Sequence, residues 1–472
     1  MSELRRDIAD AFKGARSLEG FFSGPLYPVV ATLLVLLSHL CAQEFIFGGI
    51  AVVLFCTALV LCRSARPIIA FSISIVFFVS LKHSPGVPYF SGYLVKGFGA
   101  VLLFIYGFAV AVCLIYYVIR NRVYASFNLK TPQLIPLLIL SLAFLLNGAF
   151  GGSWSKRDLI HGACQAAAYT GLFLLYYCTL RREDKQATAK YLVFASSAVA
   201  WMLSVQVLAR LFAEGVVVNG SIDKNAMLFG WGVWNTVGVS LTVLIPLLFL
   251  GVMRSRHPIY YFGTAIVAYL CAVLTMSRGA LLFGGVAFVL CCIASCFIGE
   301  NKTVSRIITG AGVLCVLLGA VVLWDKISSL LKDFLERGFS DNGRYDLWRT
   351  GIENFLKAPI FGIGFFSFVS DSFVVANFFP KLAHQTFIQL LSSMGIFGAL
   401  SYLFYRAVTI IPVVKRPSLV KSMLFASALV LIAQSAIDTY MFRFHAILLY
   451  SLTLALNELI AEDEKNTVNT PN

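Results

Sequence analysis

An all-α membrane protein with many spans is the fold this sequence predicts, and three observations predict it. Hydrophobic side chains make up 59% of the 472 residues, with a mean hydropathy of +0.84. Charged residues are only 13%, against roughly 25% in a soluble globular domain. Apolar runs of about 20 residues, the length that crosses the hydrocarbon layer as a helix, recur along the chain. Together they exclude an ordinary soluble enzyme and predict a polytopic integral membrane protein of about 14 transmembrane helices (12–14), with one large outer-face loop that contains interfacial helices.

In chain order, the polar stretch 1–25 has no short apolar core followed by a small-residue cleavage site. It is expected to be a cytoplasmic tail rather than a removable signal peptide. Hydropathy then places spans near 26–42, 44–62, 67–81, 97–118, 132–150, 159–180 and 190–213. Further spans fall near 232–253, 259–276, 279–298, 307–325, 386–405, 418–437 and 445–460. With fourteen spans, the even-numbered junctions and both tails carry 22 of the 37 basic residues, among them Arg63–Arg66, Arg181–Lys190 and Arg406–Lys421. The positive-inside rule makes that side the cytoplasm. The net charge of +14 therefore sets orientation, and no nucleic-acid partner is expected. The eleven cysteines lie in or beside apolar spans without a CxxC, as packing residues do.

Seven of the 15 remaining basic residues sit in one segment, Lys326 to Lys381. A connection of that length is more often functional than idle, so the outer face is the expected active face. Within it, Ile327, Leu330, Leu331, Phe334 and Leu335 recur at helical spacing, with charges opposite. A second pattern puts Tyr345, Trp348, Ile352, Phe355 and Leu356 on one face before Pro359 and the Gly362-Ile363-Gly364 turn. Both read as helices lying in the headgroup layer. The chain thus divides into a tail (1–25), an N-terminal transmembrane bundle (26–230), a core (231–410) that includes the loop 326–385, a C-terminal hairpin (411–460) and a second tail (461–472).

Three outer-face features could carry chemistry. Arg278, in Ser277-Arg278-Gly279, joins two spans almost without a loop. It is either a snorkelling cation or an anion clamp, since a guanidinium offers a planar fork of donors to phosphate oxygens. Arg344 stands at the start of the second loop helix, where a helix N-terminus also favours anions. His384, followed by Gln385, sits where the loop enters span twelve, and an imidazole there is either an amphipathic interfacial residue or a general base. The segment 219–225 with Trp231, Trp234 and Asn235 is either a sugar-contacting surface or an aromatic belt with a loop.

The combination resembles the O-antigen ligase and polymerase family. The resemblance rests on His384-Gln385, nine residues from Thr386 to Met394, then Gly395-Ile396-Phe397-Gly398; on Arg278 to Leu282 as an Arg-x-x-x-Leu element; and on Arg344 as the further arginine of the large loop. It spans about 230 to 410; the span count departs from the family, fourteen here against the twelve usual for the ligases, a difference that bears on the first six spans. The resemblance implies glycan transfer on the outer face of the bacterial cytoplasmic membrane. The donor is an undecaprenyl pyrophosphate-linked glycan and the acceptor a hydroxyl of a glycan, lipid or peptidoglycan. Arg278 and Arg344 are then the candidates to hold the pyrophosphate and His384 the candidate base, with inversion at the anomeric carbon and no cofactor. Among the loop carboxylates Asp325, Asp333, Asp341, Asp346, Glu353 and Asp371, no Asp-x-Asp pair offers a divalent-cation site, so no metal is expected. A polymerase differs only in its acceptor. A lipid-linked oligosaccharide flippase is the rival from another class, and it calls for ionisable groups near the bilayer midplane.

Overall fold

The computed structural model describes residues 17–80, 97–126, 131–149, 154–213, 216–218, 221–223, 226–322, 328, 344–367 and 383–469. Among the described residues, each apolar stretch read from the sequence overlaps a helix. Along the chain these are α1 (Leu26–Cys41), α2 (Glu44–Leu61), α3 (Arg66–Ser74), α4 (Gly97–Arg120) and α5 (Leu134–Leu145). Next come α6 (residues 156–180, through a π turn at Ala167–Gly171), α7 (Lys185–Leu211), α8 (Trp234–Arg254), α9 (Pro258–Leu274) and α10 (Ala280–Phe297, entered through a π turn). The last are α11 (Lys302–Val322), the loop helix α12 (Arg344–Lys357), α13 (Thr386–Lys415), α14 (Leu419–Ser435) and α15 (Phe444–Asn469). Seven of them, α2, α4, α7, α8, α10, α13 and α15, are long and apolar enough to cross a membrane, and α1, α5, α9, α14 and Arg66–Phe77 are shorter apolar helices. Two short antiparallel strand pairs, 217–218 with 221–222 and 228–229 with 232–233, are the described exceptions to an all-α fold.

Helix α8 is the axis of the core. Its sequence is apolar around its whole circumference, and 94% of its membrane-length window is buried. Small residues let neighbours approach it: Gly238 faces Thr275 and Ala280, and Thr242 faces Gly284 of α10. By contrast α4 is only 6% buried over the same length and belongs to the periphery.

Charged junctions gather at one end of the bundle. Arg66 pairs with Glu183, Arg181 with Glu462, Lys185 with Asp463, Arg254 with Glu300 and Lys421 with Glu464. The opposite end holds the buried carboxylate Glu44, which accepts from Ser80, together with the segments 147–149, 154–158, 361–366 and 436–443.

Most of the segment 406–421 leaves the loop set. Arg406, at the head of the segment 406–421, lies inside α13, which continues to Lys415. It is 9% exposed, and its guanidinium packs over the rings of Tyr450 (4.3 Å), Tyr402 (4.5 Å) and Tyr405 (5.3 Å). Hydropathy ended the span there because it scores a cation as polar and cannot score its aromatic surroundings.

The stretch 326–337, read as the first interfacial helix, lies outside the described residues except for Ser328. The second loop helix is present as α12. Its Leu347, Gly351 and Asn354 are buried, whereas Tyr345, Ile352 and Leu356 of the apolar face are exposed. An outward apolar face is what a helix resting against lipid presents.

Helix α13 is broken at Gly395, whose φ of 64° and ψ of −162° belong to no helix. The break exchanges partners instead of losing them. The N–H groups of Ile396 and Phe397 donate to the carbonyls of Pro359 and Ile360, and the freed carbonyls of Ser392 and Ser393 accept from Ile363 and Gly364. The turn after α12 is thereby threaded into the helix. Asp158, fully buried, ties the same turn to α6. One oxygen accepts from the Phe366 N–H at 2.9 Å and the other from Ser155 at the start of α6.

Candidate functional site

His384 lies one residue before the N-cap of α13, in the left-handed region at φ 51°. Two contacts fix it there. Gln385 caps α13 by accepting from the Ile388 N–H, and Gln389 turns back to accept from the Ala383 N–H at 2.6 Å. Ala383 is buried against Leu347, which carries α12, and with it Arg344, to the His384 corner.

The partner of His384 is Asp438, on the short turn between α14 and α15. His384 Nδ1 is 3.1 Å from Asp438 Oδ1; the imidazole is about one third exposed and the carboxylate is buried. Because a carboxylate only accepts, the bond places a proton on Nδ1 and makes Nε2 the proton-accepting nitrogen. The same Oδ1 accepts from the Thr439 N–H at 2.7 Å and lies 3.8 Å from Arg443 Nη2. Burial alone would raise the Asp438 carboxyl, but the His384 bond, the Arg443 charge and the Thr439 N–H together hold it below the usual carboxylate range. Arg443 also donates from Nη1 to the hydroxyl of Thr236 at the start of α8. From beneath, Tyr169 in the π turn of α6 donates to the Met441 carbonyl at 2.6 Å, and Gln165 donates to that of Phe442 at 3.1 Å.

Arg278 reaches this cluster through its neighbour. A side chain on Gly279 would meet Ile437, the residue before Asp438, at 2.8 Å, so the Ser277-Arg278-Gly279 turn abuts the Asp438 turn directly. Arg278 is held below the ordinary arginine range, first by partial burial and then by the nearby charge of Arg344. Two guanidiniums close enough to repel, near the His384–Asp438 pair, form a surface suited to a di-anion. From Arg278 an open groove of about 580 Å³ runs down α10, walled by Leu281, Leu282, Val286, Val289 and Leu290. Among the described residues no group of three or more His, Cys, Asp or Glu side chains could hold a metal ion.

The site residues read from the sequence therefore fall into two groups. His384, Arg278 and Arg344 converge. Gln385, Gly395 and Gly398 shape α13: the first caps it, the second breaks it, and the third makes room for Met394, which a side chain at 398 would meet at 2.2 Å. Trp231 fits neither of its two readings, since its indole is buried in the core against Phe77 and Phe229 and donates to Gln206. Asp438, Arg443 and Thr236 were missed. Asp438 stands outside the long loop, in an eight-residue turn between α14 and α15, residues 436–443, where no motif spacing marks it. An acid in so apolar a neighbourhood was the signal that could have found it.

Fold and site thus define a polytopic helical membrane protein with a histidine–aspartate pair beside two arginines at one end of the bundle. Residues 262–403 match a family model described as O-antigen ligase, and over that segment the chain resembles this family. The match contains Arg278, Arg344, His384 and both motif glycines, and it ends before Asp438 and Arg443. No curated protein matches the chain.

Proposed function

We infer that the protein is a surface-polysaccharide ligase of the bacterial cytoplasmic membrane. It transfers a glycan from an undecaprenyl pyrophosphate carrier to an acceptor hydroxyl on the outer face, with inversion and without a metal. The observation that carries this reading is the His384–Asp438 pair at 3.1 Å, abutted through Ile437 by the Arg278 turn. A hydroxyl attacking the anomeric carbon must lose its proton as the bond forms, and His384 Nε2 takes it while Asp438 stabilises the imidazolium. The bond to the carrier breaks with its electrons on the pyrophosphate, and Arg278 and Arg344 receive that charge. The apolar groove below Arg278 suits the isoprenoid tail.

The fourteen-span topology belongs to the same reading. It is supported by the sorting of the described junctions into two ends and by the basic side chains gathered at one of them, which the positive-inside rule makes cytoplasmic together with both tails. The intramembrane Arg406 and Glu458 are the observation that favours a flippase instead.

Carrier-linked glycans sized beside the surface polysaccharide separate these readings. A ligase predicts that deletion of the gene leaves long chains on the carrier, and that His384→Ala fails to complement. Single repeat units on the carrier instead identify a polymerase, and full complementation by His384→Ala removes the base assignment and favours the flippase. Arg278→Lys keeps the charge but loses the paired fork, so transfer in membranes is expected to fall roughly 10- to 100-fold. A fully active lysine variant would remove the clamp.

A further inference from the structure

The most informative contact outside the motif residues is that of Arg443. Its guanidinium meets the same oxygen of Asp438 that His384 meets, and it is anchored on its other arm by Thr236 of α8. A buried carboxylate facing an imidazole alone would draw a proton onto the ring and hold it as an ion pair. A permanent cation on that carboxylate offsets this attraction and repels the imidazolium.

We propose that Arg443 is a positioning residue that keeps His384 in its neutral, proton-accepting form by supplying Asp438 with a counter-charge of its own. The proposal rests on the reading of His384 as the base. The division of labour is that Asp438 orients the ring and Arg443 keeps that orientation from fixing a proton on Nε2.

The other charged groups around this corner act in known directions. Arg278, on the turn that abuts Ile437, and Arg344, on the helix packed at Ala383, add positive charge to the same side. His445 adjoins Arg443 on α15 and packs against Phe77 and Trp231. On α12, Arg349 pairs with Glu353, and Asp346 is exposed. On α6, Asp158 is committed to Ser155 and Phe366, and His161 packs on Phe365. Arg443 alone among these is in ion-pair range of the Asp438 oxygen that binds His384, among the described residues.

The sign follows. Removing Arg443 leaves Asp438 acting on His384 unopposed, so the imidazole binds its proton more tightly. The base is then lost at a higher pH, and the acid limb of the rate profile moves up.

The test uses the full chain in lipid nanodiscs with histidine ring nitrogens labelled with 15N, the His384 signal being assigned by its loss in His384→Ala. In Arg443→Gln the protonation midpoint of His384 is expected to rise by about one pH unit or more, a tenfold or greater gain in proton affinity, and Arg443→Lys is expected to restore it. An unchanged midpoint in Arg443→Gln overturns the proposal. If that variant does not accumulate folded, Asp438→Asn is compared with Asp438→Asn/Arg443→Gln, which removes both charges together. The double variant should titrate higher than the single, and equal midpoints overturn the proposal. The rate profile is read in parallel. A shifted midpoint with an unshifted rate profile upholds the link between Arg443 and His384 but removes His384 as the base.

Discussion

Asp438→Asn is expected to lower glycan transfer by about 10²- to 10⁴-fold, the range seen when the group that orients a catalytic histidine is neutralised. The substitution keeps shape and removes charge. Oδ1 in the native site gathers His384, the Thr439 N–H and Arg443. An amide oxygen holds these donors less well, and an amide turned the other way offers its NH2 group to Nδ1. That contact favours the tautomer with the proton on Nε2, the nitrogen that must accept one. The same change leaves Arg443 with less compensation, so protein in the membrane is quantified and transfer is expressed per folded molecule. Retention of more than about a tenth of wild-type transfer on that basis would sink the role given to Asp438.

Gly395→Ala is expected to abolish accumulation of folded protein. At φ 64° and ψ −162° the backbone occupies a region essentially confined to glycine, which costs a side-chain-bearing residue about 1–3 kcal/mol. A Cβ there would also stand 2.3 Å from the Ile360 carbonyl oxygen and 2.6 Å from that of Pro359, both backbone atoms with no side-chain freedom to yield. Moving that turn breaks the exchanged hydrogen bonds of Ile396, Phe397, Ile363 and Gly364. Each group left unpaired away from water costs about 1–3 kcal/mol, so the sum is comparable with the 5–15 kcal/mol by which proteins are stable. Detergent-extracted protein followed by size-exclusion chromatography reads the result. A monodisperse Gly395→Ala variant at wild-type yield would contradict it. Gly398→Ala is expected to destabilise as well, because the added Cβ would stand 2.2 Å from the Cβ of Met394, an atom that side-chain rotation cannot move.

The two motif glycines and the histidine act by different means, and that bears on how the motif is understood. His384 stands in the site, whereas Gly395, eleven residues on, makes the break through which the Pro359–Gly364 turn enters α13. That turn follows α12, and α12 carries Arg344. The fixed spacing therefore couples His384 to the placement of an arginine from a different part of the chain, which neither residue type could achieve alone.

The membrane class, the positions of the helices and the candidates Arg278, Arg344 and His384 were determined by the sequence alone. These follow from local physics: apolar run length matches a hydrocarbon thickness, and charge collects where a chain leaves lipid. The family segment was legible for the same reason, since a motif of fixed spacing is a one-dimensional object. Only the tertiary structure decided which carboxylate serves His384. Asp438 is 54 residues away, and no periodicity or spacing links the two; they meet because α13, α14 and α15 pack side by side. Nor did hydropathy foresee that α13 runs on past Arg406, whose charge is accommodated by three rings, one of them on α15. It also gave no sign that the helix break at Gly395 is filled by a turn more than thirty residues earlier. Each of these depends on free energies of desolvation and pairing that exist only once separate segments are brought together, which is why the sequence could offer His384 as a candidate and could not show the groups that surround it.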